Sequence, residues 1–201
     1  MLIQLKKNLE LSKSTTKRMV TNDLDELEHI KDDMKELMKK PIGFHTMGLP
    51  LVVSFILTLL SFAMPQALIW EAVFSFMGWP DYALLGGIIL TGLPYCLIMF
   101  PSLSLIARGN YTALKVYISL MYFTSAVALL YLGHSLWALM FGENTSTLTF
   151  LSSCLGVIFM LIAFKCINSL MFYKSNAFYL HNRIWRKQLE IQRKSTSNLK
   201  K

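Results

Sequence analysis

Four long apolar runs between Met47 and Phe172, separated by three short polar breaks, constrain this chain more than any other feature. Wound as helices, runs of roughly 20 apolar residues match the hydrocarbon thickness of a bilayer. The expected fold is therefore all-α, a polytopic membrane protein with four transmembrane helices at about 49–69, 83–106, 114–141 and 148–173. The bundle occupies 46–173, between an N-terminal helical region (1–45) and a basic C-terminal helix and tail (174–201). Charged residues make up 16% of the chain and mean hydropathy is +0.44, against about 25% charged in an ordinary soluble domain. No separate soluble catalytic domain is expected. Nor is a cleaved signal peptide, because Met1–Lys40 is highly charged and the first apolar run starts too late. Cys96, Cys154 and Cys166 lie in or near the apolar runs with no metal-ligand spacing, so neither disulfides nor metal are expected.

Charge gives the runs a direction. Of the 20 Lys and Arg residues, nine precede the first run, two (Arg108 and Lys115) lie at the middle break, and nine occur from Lys165 onward. The two outer breaks hold Glu71, Asp81 and Glu143 and no basic residue. The positive-inside rule then places both termini and the middle turn in the cytoplasm. An even number of spans requires both termini on one side, so two independent counts agree. The expected location is a membrane, as a bacterial inner-membrane protein.

The ends carry their own patterns. Met1–Leu11 sets Leu2, Ile3, Leu5 and Leu9 opposite Lys6 and Lys7, and the following SKSTT stretch (12–16) reads as a loop. Asn22–Lys40 reads as a helix capped by Asn22, with Asp23, Asp25 and Glu26 at its positive end. Pro41 and Gly43 stop it. Leu24, Leu27, Ile30, Met34 and Leu37 form one narrow apolar stripe. Such a stripe needs a partner: the same helix in another subunit, the C-terminal tail, or a separate protein. Beyond Tyr173, Phe178, Trp185 and Leu189 share a face flanked by Arg183, Arg186, Lys187, Arg193 and Lys194, and the fourth span is expected to run on into this segment. Trp185 and Leu189 join the stripe as candidate partner-binding residues. The five cations are candidates for anionic lipid or for a partner, and direct nucleic-acid binding is not expected from basicity alone.

Within the spans, chemistry is sparse. No HExxH, GxSxG, phosphate-binding loop or paired carboxylates occur, so an enzyme is not expected and no cofactor is implied. Two intramembrane polar residues are candidates. His134 titrates near neutral pH, which would suit a gate; it also lies 19 residues past Lys115, roughly 28 Å along a helix, close to the outer headgroups. Lys165 faces either the bundle or the inner headgroups by snorkelling. Ala83, Gly87 and Thr91 make a small face for close helix contact, while Gly92, Pro94 and Pro101 mark the second span as the one to kink or break. Asn144–Ser146 matches the glycosylation sequon.

These features suit a non-enzymatic inner-membrane platform or sensor that forms homo-oligomers and recruits a cytoplasmic protein partner. A small oligomeric ion channel or transporter, and an immunity or exclusion protein, are the alternatives. In layout, over Met47–Phe172 and both charged ends, the chain resembles the membrane subunit of bacterial two-gene phage-defence systems of the Kiwa type. That resemblance implies an oligomer working with a cytoplasmic DNA-binding partner in antiviral defence. It carries no residue roles.

Overall fold

The computed structural model describes residues 3–39, 43–141 and 147–198, and contains no strand among them. Among the described residues eight helices follow in order: α1 (Ile3–Arg18), α2 (Leu24–Met38), α3 (Leu49–Ala63), α4 (Gln66–Met77), α5 (Leu84–Ala107), α6 (Tyr111–Met140), α7 (Thr147–Ile167) and α8 (Leu170–Asn198). Short 3-10 turns occupy Phe44–Met47 and Asp81–Ala83. Four stretches of the described residues are long and apolar enough to cross a membrane: Leu49–Met77, Leu84–Ala107, Tyr111–Met140 and Thr147–Ile167. This is the pattern of a multi-pass membrane protein. Lys40, Pro41, Glu143 and the sequon lie outside the described residues.

Local chemistry moves several expected boundaries. Helix resumes at once after Pro65, which has helical backbone angles, because proline fits a first helical turn where its missing N–H is not needed. The first span therefore reaches Met77, and Glu71, expected in an outer break, is helical together with Trp70. Asp23, not Asn22, caps α2, its carboxylate accepting from the Asp25 amide at 3.0 Å. The fourth span does not run on unbroken. Ser169 Oγ accepts from the Phe172 amide at 3.0 Å and starts α8 as a separate helix. Lastly, Ser12–Thr16 is helix, not loop, since Ser12 and Thr15 are buried rather than facing water. Pro94 and Pro101 sit inside α5, which stays one helix through both instead of breaking.

Contacts divide the chain into two compact units. The first comprises Met1–Val52, Ser102–Val116 and Cys166–Lys201. In it, α2 lays Leu27, Ile30, Met34 and Met38 against Ala177, Leu180 and Ile184 of α8, with Met19 completing the core. The narrow stripe thus finds its cover in the C-terminal segment of its own chain. Helix α1 joins α8 through a polar contact: Asn176 Nδ2 donates to Asn8 Oδ1 at 3.1 Å and to Ser12 Oγ at 3.0 Å, and all three residues are buried.

The second unit, Val53–Pro101 and Tyr117–Lys165, holds most of the four apolar stretches. Its helices meet through small polar side chains: Ser54 with Tyr117 at 2.8 Å, Tyr95 with Thr124 at 2.7 Å, and Tyr131 with Ser152 at 2.6 Å. Ser61 Oγ donates to the Gly156 carbonyl at 2.9 Å. Where lipid removes the hydrophobic drive between helices, such contacts and close packing hold them together, each worth about 0.6 kcal/mol on average. Phe62 stacks on Tyr95 at 3.8 Å. Helix α5 is the least buried of the four, and its Leu85, Ile89, Leu93 and Leu97 point outward, as a lipid-facing surface requires.

Candidate functional site

The richest concentration of charge with built geometry lies in the first unit, where three cations of α8 meet the ends of other helices. The end of α5 is a Schellman turn. Gly109, at φ +78°, donates to the Ile106 carbonyl at 2.8 Å, and the Asn110 amide donates to the Leu105 carbonyl at 3.0 Å. Glycine is needed here twice over: the left-handed angle excludes most side chains, and a Cβ would stand 2.8 Å from the Tyr179 carbonyl oxygen. Asn110 then starts α6, its Oδ1 accepting from the Thr112 amide at 2.9 Å.

The carbonyls left over at this helix end face α8. Arg183 Nη1 donates to the Gly109 carbonyl at 2.8 Å and to Thr16 Oγ1 at 3.2 Å, and Arg186 Nη2 donates to the Arg108 carbonyl at 3.2 Å. Lys187 donates to the Met19 and Thr21 carbonyls just past the end of α1. Cations at a helix C-terminus satisfy orphan carbonyls and oppose the negative end of the helix dipole. The far end of α1 is held too, because Asn168 Oδ1 accepts from the Leu5 amide at 3.0 Å. Helix α1 is therefore pinned at both ends by the segment around α8.

Burial sets the electrostatics. Desolvation, then the neighbouring Arg186, lowers the pKa of Arg183. Burial pushes the Tyr179 hydroxyl up to about 12 and lowers His181, which also feels Lys35 and Lys31. The Glu28 carboxyl is lowered by hydrogen bonds from Lys31 and from Gln188 Nε2, the latter at 2.9 Å.

Around the three cations a cleft of about 620 Å³ is lined by Thr16, Met19, Val20, Leu105, Arg108, Asn110, Arg183, Arg186, Lys187 and Glu190. Sequence reasoning grouped Arg183, Arg186 and Lys187 but missed Arg108, which only the turn brings beside them. It also grouped Arg193 and Lys194 with them; both are exposed and outside this cleft. Of the candidate partner-binding residues, Leu27, Ile30 and Met34 are covered by α8, Leu37 is half-buried against the same core, and Leu189 is half-buried. Leu24 and Trp185 remain exposed, Trp185 at 52%.

In the second unit, His134 is exposed and lines a cleft of about 720 Å³ with Glu71 and Ser75. Lys165 is exposed near the end of α7. Gly87 lies under the Trp70 ring, where a Cβ would fall 2.3 Å from it, and Trp70 Nε1 donates to Thr91 Oγ1 at 3.2 Å. The small face of α5 therefore receives α4. Gly92 is half-buried and Pro94 and Pro101 are exposed. Among the described residues no group of three or more His, Cys, Asp or Glu side chains is placed to hold a metal ion. No protein-family model, curated protein or solved structure matches the chain.

Proposed function

We propose that this protein is a non-enzymatic membrane platform, with both termini in the cytoplasm, whose packed end helices recruit or regulate a cytoplasmic protein. The observation that carries this reading is the α1–α2–α8 arrangement. Most of its apolar stripe is covered by its own core, so its outward faces are largely charged, and Trp185 is a large exposed aromatic on them. A rigid, charged face with an exposed tryptophan suits reversible protein contact, since tryptophan anchors are enriched among the residues that dominate binding. The orientation rests on the distribution of basic residues. The layout shared with Kiwa-type membrane subunits favours a DNA-binding protein as the recruited class, a homo-oligomer as the working form, and the bacterial inner membrane as its place.

The test is purification of the intact protein in mild detergent with identification of what co-elutes. A stoichiometric partner lost with Trp185→Ala and kept with His134→Gln supports the platform. Unitary currents in a planar bilayer, abolished by Lys165→Leu and with no co-eluting protein, would establish the channel alternative instead. Orientation is read separately, in a background lacking the three native cysteines. Thr147→Cys should react with an impermeant maleimide in intact cells, and Thr112→Cys should not.

A further inference from the structure

We propose that the cleft between α1, the Leu105–Asn110 turn and α8 binds the phosphate of an anionic phospholipid headgroup. The inference needs only the span assignment and holds whichever partner the platform serves. Position comes first. Leu105 and Arg108 lie at the end of the second span and Asn110 immediately before the third, so the turn belongs at a bilayer surface, where headgroups lie.

Charge comes second. Arg108, Arg183, Arg186 and Lys187 share the cleft with a single carboxylate, Glu190, and among the described residues none of the four cations is ion-paired. The α8 side chains among them meet neutral oxygens: Arg183 on the Gly109 carbonyl, Arg186 on that of Arg108, Lys187 on that of Met19. These contacts orient the side chains and leave them without a carboxylate counter-ion. A guanidinium has five N–H donors in a fixed fork, and the contacts of Arg183 run through Nη1 alone. An ordered fork with donors to spare suits phosphate oxygens.

Shape and lining decide between lipid and free phosphate. At about 620 Å³ the cleft exceeds what an inorganic phosphate fills. Met19, Val20 and Leu105 line it beside the cations, and Val20 is 79% exposed. An amphiphile satisfies both surfaces; a free ion satisfies one.

Native mass spectrometry of the intact protein in neutral detergent tests this, with titrations of phosphatidylglycerol, phosphatidylcholine and inorganic phosphate. Phosphatidylglycerol should saturate at one molecule per chain and bind at least about fivefold more tightly than phosphatidylcholine. Arg108→Gln should weaken it about fivefold, the order expected for one cation at an anionic surface. Arg108 is exposed and is engaged through its backbone, its amide donating to the Leu105 carbonyl and its carbonyl accepting from Arg186, so the variant should fold, and Arg108→Lys should retain binding within about twofold. The double variant Arg193→Gln/Lys194→Gln removes two charges outside the cleft and should cost less than Arg108→Gln. Equal binding of the two lipids, an equal or larger loss in the double variant, or loss with Arg108→Lys would overturn the site. Displacement of the lipid by millimolar inorganic phosphate would assign the cleft to the soluble ion and overturn the lipid reading.

Discussion

Asn176→Leu should loosen α1 from α8 by removing hydrogen-bond partners while keeping the branching of the side chain. Asn176 Nδ2 serves Asn8 Oδ1 at 3.1 Å, Ser12 Oγ at 3.0 Å and the Asn8 carbonyl at 3.2 Å, and Ser12 Oγ returns a bond to Asn176 Oδ1 at 3.3 Å. Leucine is close in shape, so the loss is of partners and not of packing. The Asn8 carbonyl keeps its place in the helix ladder. Asn8 Oδ1 and Ser12 Oγ do not keep theirs, and each sits in a fully covered site. A buried polar atom stripped of its partner costs about 1–3 kcal/mol. Two at the low end give about 2 kcal/mol, or roughly thirtyfold in a local opening equilibrium.

Hydrogen exchange of the protein in nanodiscs reads that equilibrium directly. Amides of α1 from Leu5 to Thr15 should exchange about thirtyfold faster in Asn176→Leu, while those of α6 should not change. The triple variant Asn8→Leu/Ser12→Ala/Asn176→Leu leaves no orphaned group, and removing both sides of a buried polar contact is close to neutral. Its α1 protection should therefore recover most of the loss. If the single variant exchanges like the parent, or the triple is looser than the single, the polar contact does not hold α1.

Gly87→Ala places a Cβ 2.3 Å from the Trp70 ring, and such overpacking costs about 1–3 kcal/mol; melting temperature in detergent should fall and tryptophan fluorescence should shift. Gly92→Ala meets nothing within 4 Å and should be neutral or stabilising by about 0.5–1 kcal/mol through helix propensity; equal losses at both positions would refute the distinction. Gly109→Ala forces a left-handed angle, at about 1–2 kcal/mol, and presses on the Tyr179 carbonyl; α8 should become protease-sensitive in vesicles. His181 is held below its ordinary pKa by burial, against Asn182 and Glu28, which raise it, and with Lys35 and Lys31, which lower it. The unfolded state therefore takes up the proton first, and stability present above pH 6.5 is lost as pH falls through the lower folded value. Exchange in α8 should speed up between pH 7 and pH 5 after correction for intrinsic rates, and His181→Gln should flatten that response.

The apolar stretches were legible in the sequence because bilayer thickness imposes a length that few other folds share. The ends were less legible, for identifiable reasons. SKSTT has loop composition in water, yet Ser12 bonds Asn176, 164 residues away in sequence, and Thr15 is buried, and local propensity carries no record of that neighbour. Pro65 reads as a stop, but a proline with helical angles also opens a helix, and its consequence depends on the residues after it. The α2 stripe announced that it needed a cover; its spacing did not identify α8 among the three possible covers. Arg108 was invisible as a site residue because a turn, not a shared helix face, sets it beside Arg183 and Arg186.

The basic segment shows why counting charge misjudges what charge does. From sequence, Arg183, Arg186, Lys187, Arg193 and Lys194 look equivalent, one polybasic face on one helix. In the fold they separate into two populations. The first three reach carbonyls at the ends of α5 and α1, so their side chains are ordered before any ligand arrives and less entropy remains to be lost on binding. Arg193 and Lys194 are exposed side chains whose attraction to an anionic surface is diffuse and screened within about 8 Å at physiological salt. Raising salt should therefore weaken the contribution of the outer pair more than that of the cleft. A salt titration of phosphatidylglycerol binding, compared between the parent and Arg193→Gln/Lys194→Gln, isolates the difference. The double variant should show the shallower slope while keeping most of the high-salt affinity. Parallel slopes with a uniform loss would mean that all five cations act as one undivided charge, and that the helix-end contacts order nothing a ligand can use.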